Sequence, residues 1–234
     1  MNTLLLAAAQ ANRPRPFNEL FRYYPGQPLV GGSLSFRGGA FIDESSESSI
    51  DGHSVINIPS VNAGATITFD RPLDLAGKDF TLEWVSFNAN NPTGYASEFA
   101  LLASDNRYSG INVRYGDSGF GNRLQYGTDL SKLEHVYSAN VTKSALSGKT
   151  SYHALVCRDG SIYVYLNGQR QNLATGTSSV YNKPSFPVGG DLSALRHIRL
   201  GWIDSTQPAM IGRVGRIRIS EGARYLESYD PVAL

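Results

Sequence analysis

Apolar and polar residues alternate along several short stretches of the chain, as in β-strands that bury one face. The alternation is clear at 65–69 and at 80–87, where Phe80, Leu82 and Trp84 share one face. Further runs predict strands at 99–103, 111–115, 123–126, 136–141, 197–202 and 210–220. About a dozen short strands without a convincing long helix indicate a sandwich of two sheets.

The clearest pattern is the segment 151–171, in which two turn dipeptides separate three apolar runs. Asp159-Gly160 and Asn167-Gly168 tolerate the positive φ angles of tight hairpin turns. The residues between the turns alternate between two faces, with Ile162, Val164 and Leu166 on one and Tyr163 and Tyr165 on the other. The segment therefore predicts a three-stranded meander.

Residues 1–28 differ from the rest of the chain. Residues 2–10 are compatible with a short helix, and four prolines between 14 and 28 follow them. Because proline fixes φ and removes amide donors, we expect an extended N-terminal arm over 1–28, followed by one domain over 29–234. The start also resembles a signal peptide, but its apolar stretch has six residues and no preceding basic residue, which disfavours secretion.

An isolated arm of this kind is disordered unless its own domain or a neighbouring subunit holds it. Aromatic side chains that lie across a neighbour lock an assembly together. The arm residues predicted to contact another subunit are Arg13, Arg15, Phe17, Phe21, Tyr23 and Tyr24.

Composition and charge agree with an all-β domain and exclude some partners. The chain has 24 Gly, 11 Pro, 13 Tyr and 10 Phe, typical of many turns between short strands. Its net charge of +1 gives no general attraction to nucleic acid or to an anionic membrane. The single cysteine, Cys157, excludes an intramolecular disulfide, and its apolar run predicts a buried, inert thiol.

Four segments in order resemble the laminin G-like branch of the concanavalin A-like lectin/glucanase superfamily. They are 33–39 (SLSFRGG), 73–84 (with DFTLEW), 153–168 (with YVYLNG) and 211–219 (IGRVGRIRI). The resemblance implies an all-β fold, a two-sheet antiparallel jelly-roll sandwich. This fold hosts lectins, hydrolases and structural modules, so it does not fix the function.

The closing segment 217–225 resembles the last strand and tail of laminin G-like domains in bacteriophage virion proteins. This resemblance implies a non-enzymatic virion structural protein, either a capsid-decorating or a tail-associated subunit, made in the bacterial host cytoplasm. Its expected partners are capsid or tail subunits and further copies of itself. On the last strand, Arg216 and Arg218 are predicted to share a face with Val214, either solvated or docked on an acidic partner subunit.

Catalytic and metal-binding motifs are absent from the sequence. Hydrolases of the superfamily carry two glutamates flanking an aspartate, which supply a nucleophile and a general acid. The nearest acidic cluster, Asp43, Glu44 and Glu47, lies in a serine-rich stretch, and the four histidines are scattered. We therefore expect no enzyme, no metal and no cofactor.

The segment 106–126 suggests an alternative function, a carbohydrate-binding module that attaches to a host surface glycan. Its aromatic and arginine residues lie among several Gly and Asn residues and include Tyr108, Arg114, Tyr115, Phe120 and Tyr126. Tyr108, Arg114 and Tyr126 are the predicted ligand-binding residues. The same segment is also compatible with a flexible pair of loops.

Overall fold

The computed structural model describes residues 17–89, 96–105, 109–115, 123–129, 135–142, 146–175, 186–187, 192–203 and 208–230. The strands in chain order are β1 (Asn18–Tyr23), β2 (Gly32–Arg37), β3 (Phe41–Asp43), β4 (Val55–Ile58), β5 (Gly64–Leu73), β6 (Phe80–Asn88), β7 (Ala96–Leu102), β8 (Gly110–Tyr115), β9 (Arg123–Asp129), β10 (His135–Thr142), β11 (Thr150–Arg158), β12 (Ser161–Leu166), β13 (Gln169–Arg170), β14 (Leu173–Thr175), β15 (Phe186–Pro187), β16 (Leu195–Gly201) and β17 (Gly212–Glu221). Within these described residues, no helix is long and apolar enough to cross a membrane.

The strands form two antiparallel sheets. The nine-stranded sheet has the order β13-β12-β11-β6-β17-β4-β3, with β1 also paired to β17 and β15 to β12. The eight-stranded sheet has the order β14-β10-β9-β8-β7-β16-β5-β2. This arrangement confirms the predicted two-sheet sandwich.

The main core lies between the sheets, and strand alternation decides which side chains enter it. The predicted face of Phe80, Leu82 and Trp84 is buried there. The meander is also confirmed, because β11, β12 and β13 pair in sequence and both turn dipeptides have positive φ. Cys157 is 2% exposed, and burial raises the pKa of its thiol to about 11.

The structure corrects the predicted arm. β1 pairs with β17 from Asn18↔Glu221 to Tyr23↔Ile217, so residues 18–23 belong to the sandwich and the boundary after residue 28 lies too late. Phe21 and Tyr23 are buried in the core of their own domain and therefore do not anchor on a neighbouring subunit. Their spacing of two residues is a strand pattern that the surrounding prolines obscured. Arg13, Arg15 and the helix suggested at 2–10 lie outside the described residues.

A β-bulge in β17 corrects the face assignment of the late arginines. The register shifts between Val214 and Ile217, so that residues 215 and 216 together oppose one residue of β6. Val214 consequently lies in the core, whereas Arg216 and Arg218 pair with acidic groups on the outer face. The predicted common face was wrong because the extra residue reverses the alternation. Gly215 fits this site because a Cβ there would lie 2.6 Å from Cγ1 of Val85.

Candidate functional site

A shallow cleft, with a cavity volume of about 10 Å³, lies on the outer face of the nine-stranded sheet, where β1 ends and β17 bulges. We call it the arginine–tyrosine cleft. Its rim is formed by four side chains, Arg22, Tyr24, Tyr152 and Arg216. Below the rim lie Glu83 and Arg218, and the floor is formed by Trp84, His153 and Ile217. The cleft therefore combines aromatic rings with several charged groups.

Sheet register places the charged residues in one row. Arg22 on β1 pairs with Arg218 on β17, and Arg218 pairs with Glu83 on β6. Across this row, the bulge brings the Arg216 guanidinium to 5.8 Å from the centre of the Tyr152 ring. The last strand thus supplies two of the cleft's three arginines.

Asp51 contacts two residues of the rim, Tyr152 and Arg216. It lies on a turn in which Asp51 and Gly52 both have positive φ. The Tyr152 hydroxyl donates to Oδ1 of Asp51 at 2.5 Å, and the Arg216 guanidinium lies 3.6 Å from Oδ2. Burial, reinforced by the bond to Asp51, raises the pKa of Tyr152 to about 12. Tyr152 therefore stays protonated at neutral pH, with its proton committed to Asp51.

Glu83 is 4% exposed and is bound by two arginines and a tyrosine. It accepts two hydrogen bonds of 2.8 Å from Arg218, one of 3.2 Å from Arg224 and one of 2.6 Å from the Tyr225 hydroxyl. Burial lowers the pKa of Arg224, whereas for Arg218 the bonds and charge of Glu83 outweigh burial and raise the pKa. The Phe17 ring covers this cluster, with its centre 3.8 Å from the Arg224 guanidinium. Glu83 thus has a structural role.

Beneath the cleft, on the other side of the sheet, a buried polar network lies between the two sheets. Trp84 stacks between Phe99, at 4.5 Å, and His153, at 4.8 Å. Its Nε1 donates to Oε1 of Glu98 at 3.0 Å, and Nε2 of His153 lies 3.2 Å from the same oxygen. Burial lowers the pKa of His153, although the charge of Glu98 opposes it. This histidine supports the floor as a neutral ring.

The acidic groups do not form a catalytic pair in this part of the molecule. Glu83 lies on the outer face of the sheet and Glu98 lies between the sheets, so the two carboxylates do not flank a common space. Among the described residues, no group of three or more His, Cys, Asp or Glu side chains is arranged to hold a metal ion.

Two of the three predicted ligand-binding residues, Arg114 and Tyr126, lie on neighbouring strands of the eight-stranded sheet. Arg114 lies on β8 in the eight-stranded sheet and is 9% exposed. It pairs in register with Gln125, whereas Tyr126 pairs with Val113, so Arg114 and Tyr126 do not share a row. Tyr108 lies outside the described residues.

The arginine–tyrosine cleft instead unites three residues predicted as subunit contacts. Tyr24, Arg216 and Arg218 meet there although they come from opposite ends of the chain. Sequence reasoning missed Asp51 and Tyr152, which are about 100 residues apart and carry no shared local pattern. Glu83 did leave a signal, as the one charged residue of strand β6.

Several solved structures resemble this structure over most of the chain. Domain 4 of AbnA, a GH43 extracellular arabinanase from Geobacillus stearothermophilus, in complex with arabinotriose, has a TM-score of 0.57 and 14% identity, covering 89% of this chain and 95% of that one. The binding domain of Botulinum Neurotoxin DC in complex with SialylT has a TM-score of 0.53 and 11% identity, covering 90% and 48%. The chain is an all-β jelly-roll sandwich.

A third similar structure matches the chain over only part of its own length, and the sequence comparisons find no match. Trypanosoma rangeli sialidase in complex with the inhibitor DANA has a TM-score of 0.50 and 15% identity, covering 80% of this chain and 27% of that one. The jelly-roll chain thus spans about half of the toxin binding domain and about a quarter of the sialidase. No family model matches the sequence, and no curated protein matches it. At these identities the likeness concerns the fold.

Proposed function

We propose that this jelly-roll domain binds carbohydrate at the arginine–tyrosine cleft. The observation that carries the proposal is the rim: Tyr24 and Arg22 line it together with Tyr152, whose ring lies beside Arg216 and whose hydroxyl binds Asp51. Tyrosine rings offer apolar faces to the C–H groups of a sugar, and charged side chains form strong hydrogen bonds with its polar groups. Ligand sites commonly join aromatic side chains to a few convergent polar groups.

Two of the similar structures support this class of ligand. The arabinanase domain is in complex with arabinotriose, and the toxin binding domain is in complex with SialylT. Because one fold hosts many functions, the test of the proposal lies in the cleft residues.

Tyr152→Ala is expected to weaken sugar binding about tenfold or more, because it removes a rim ring and releases Asp51. Binding is measured on an array of neutral and acidic oligosaccharides, followed by calorimetry with the best ligand. Tyr163→Ala is the matched control, since Tyr163 lies on the outer face of the same sheet but against Arg170, away from the cleft. Circular dichroism shows whether each variant remains folded.

Equal binding by the wild type and Tyr152→Ala would place the sugar elsewhere. Tyr126→Ala in the same array then tests the segment 106–126 predicted from the sequence. An array on which the wild-type protein binds no sugar would contradict the proposed function itself.

A second proposal concerns the particle that carries the domain. The resemblance of 217–225 to phage virion proteins supports a capsid-decorating or tail-associated subunit, located in the virion. Phe17, the first described residue after this segment, packs over Arg224 on the outer face of the nine-stranded sheet. In this proposal, residues 1–16 contact a neighbouring subunit.

Light scattering on the full chain and on residues 17–234 tests the assembly role. We expect an oligomer for the full chain and a folded monomer for the shortened one, because the latter keeps β1 and its pairing to β17. Identical masses for the two proteins would contradict the role of residues 1–16 in self-assembly.

A further inference from the structure

We propose that the outer edges of β2 and β3, together with the acidic loop at 43–49, receive residues 4–15 of a neighbouring copy of this chain. This inference rests on the proposed role of residues 1–16 in assembly and names the surface that receives them. It follows from two uncovered strand edges, from the apolar and charged side chains beside them, and from how far the chain can reach.

Both sheets end on the same side of the sandwich. β2 is the last strand of the eight-stranded sheet and β3 the last strand of the nine-stranded sheet, and only residues 38–40 separate them. Within the described residues, no further strand pairs with the outer edge of either. The N–H and C=O groups of such an edge can pair with another segment of polypeptide. The two edges therefore form a docking surface for a polypeptide.

Exposed apolar side chains gather on this side of the molecule. The large hydrophobic side chains that the described residues expose are Val30, Phe36, Phe41 and Val61. Val30 precedes β2, and the two phenylalanines flank the turn at 38–40. Val61 lies in a loop that approaches the same turn, where a Cβ on Gly38 would lie 2.4 Å from the carbonyl oxygen of Asn62. Covering these side chains removes apolar surface from water, which favours an apolar occupant.

Strand β2 carries none of the usual protection of an exposed edge. Natural edge strands are commonly guarded by proline, by lysine or by a β-bulge. β2 contains no proline or lysine, and its pairing with β5 is regular from Gly32↔Phe69 to Arg37↔Gly64. Its one charged side chain, Arg37, packs 3.7 Å from the centre of the Trp202 ring. We therefore expect this edge to be covered in the assembled protein.

The acidic loop gives the surface a negatively charged end. Residues 38–53 contain four acidic residues, Asp43, Glu44, Glu47 and Asp51. Two arginines reach this stretch, because Arg213 donates to the carbonyl oxygen of Ser48 at 2.9 Å and Arg216 lies 3.6 Å from Asp51. Four negative charges against two positive ones leave an excess of two negative charges. Glu44 and Glu47 are exposed, and neither is in an ion pair within the described part of the chain, so the excess belongs to them.

Residues 4–15 carry the matching pattern. Residues 4–9 are apolar (LLLAAA), residues 2–12 have no charged side chain, and Arg13 and Arg15 follow. The surface has the same order, with exposed phenylalanines at the turn 38–40 and the acidic loop after β3. Opposite charges fix the orientation and register of such a contact. In this arrangement residues 4–9 lie along the edges and both arginines meet the acidic loop.

The arginines of the same chain are too far from the acidic loop. Phe17 packs over Arg224 and precedes β1, whose first residue pairs with Glu221 at one end of β17. The acidic loop contacts Arg213 near the other end, about 26 Å along the strand. A fully extended chain carries the backbone of Arg13 only about 14 Å from Phe17, and its side chain adds about half of that. The residues that occupy the surface therefore come from a neighbouring copy.

Disulfide trapping in the full chain tests the contact directly. The double variant Leu6→Cys with Phe41→Cys places one thiol in each proposed partner, whereas Cys157 is 2% exposed and shielded. We expect oxidation to give covalent multimers on a non-reducing gel, because a disulfide forms only between residues that lie close together. Leu6→Cys with Tyr163→Cys is the control and should give few of them, since Tyr163 lies near the opposite edge of the nine-stranded sheet. An internally bridged monomer would place the segment on its own domain and contradict the inference.

Charge reversal tests the arginine contact. Glu44→Arg with Glu47→Arg should weaken the oligomer about tenfold or more in sedimentation experiments, and so should Arg13→Glu with Arg15→Glu. Combining the two pairs of changes in one chain should restore most of the affinity, because the exchanged charges again attract. Failure of the combination to restore the oligomer would overturn the contact.

A control and the full set of outcomes separate this inference from the proposal on which it rests. Asp74→Arg with Glu227→Arg reverses two exposed acidic groups elsewhere, and an equal loss in this variant would replace the inferred contact with general charge attraction. A monomeric full chain, or an oligomer that survives removal of residues 1–16, contradicts the assembly role and the inference together. An oligomer that needs residues 1–16 but forms no cross-link to Phe41→Cys and tolerates the reversal at the acidic loop overturns the receiving surface alone.

Discussion

Replacing Glu83 with glutamine is expected to lower the free energy of unfolding by about 3–5 kcal/mol. Glutamine keeps the size of the side chain and an acceptor for the Tyr225 hydroxyl, but it removes the negative charge. Arg224, with its side chain 4% exposed, and Arg218, at 12%, would then remain as buried cations without their anion. Breaking a buried ion pair by removing one partner is costly because the remaining charge stays desolvated.

Urea unfolding of the wild type and of Glu83→Gln measures this loss. Glu19→Gln is the control on β1 of the same sheet, where an exposed pair with Arg22 should contribute no more than about 1 kcal/mol. The double variant Glu83→Gln with Arg218→Met should recover part of the stability, because it also removes one unpaired cation. A loss below about 1 kcal/mol for Glu83→Gln would show that the cluster relaxes into water.

The second large effect is expected at Trp84, whose replacement by alanine should cost about 3–5 kcal/mol. The indole is 2% exposed and stacks between Phe99 and His153. Its removal leaves a cavity and deprives Oε1 of Glu98 of a donor at 3.0 Å. Glu98 is fully buried, so the lost hydrogen bond adds to the cost of the cavity.

Thermal and urea unfolding followed by circular dichroism check this value, since fluorescence would change with the loss of one of the two tryptophans. Trp202→Ala is the comparison, because Trp202 is partly exposed and packs under the Arg37 guanidinium at 3.7 Å. It should cost clearly less than Trp84→Ala. Equal losses would mean that the stack between the sheets contributes no more than a surface contact.

Much of the fold could be predicted because its signals are local. Alternation gave the strands around Leu82 and Ile198, and two dipeptides gave the turns at 159–160 and 167–168. Strand β1 escaped prediction because its aromatic residues and the prolines on either side of it are also typical of an extended arm. Its identity depends on pairing with β17, about 200 residues later, which no local pattern records.

The candidate site was harder to predict, because its geometry depends on the bulge in β17 and on the residues that follow β17, Arg224 and Tyr225. Nothing in the run of β17 marks the bulge except Gly215, and without the bulge Arg216 would lie on the other face. Alternation alone puts Glu83 on the face opposite to that of Leu82, where an exposed carboxylate would be expected. It is buried because Arg224 and Tyr225 fold back over the sheet, and this cover follows from tertiary packing.

The position of β17 in the nine-stranded sheet has a consequence for how the chain is made. β17 pairs with β6 on one side and with β4 and β1 on the other, so a strand near the end of the sequence joins three made much earlier. During synthesis on the ribosome, the common partner β17 is made last. Until then, the edges of β1, β4 and β6 that pair with it, and the apolar side chains beside them, stay exposed. Synthesis and assembly therefore run in different orders, and the waiting chain is the species most exposed to aggregation and most in need of a chaperone.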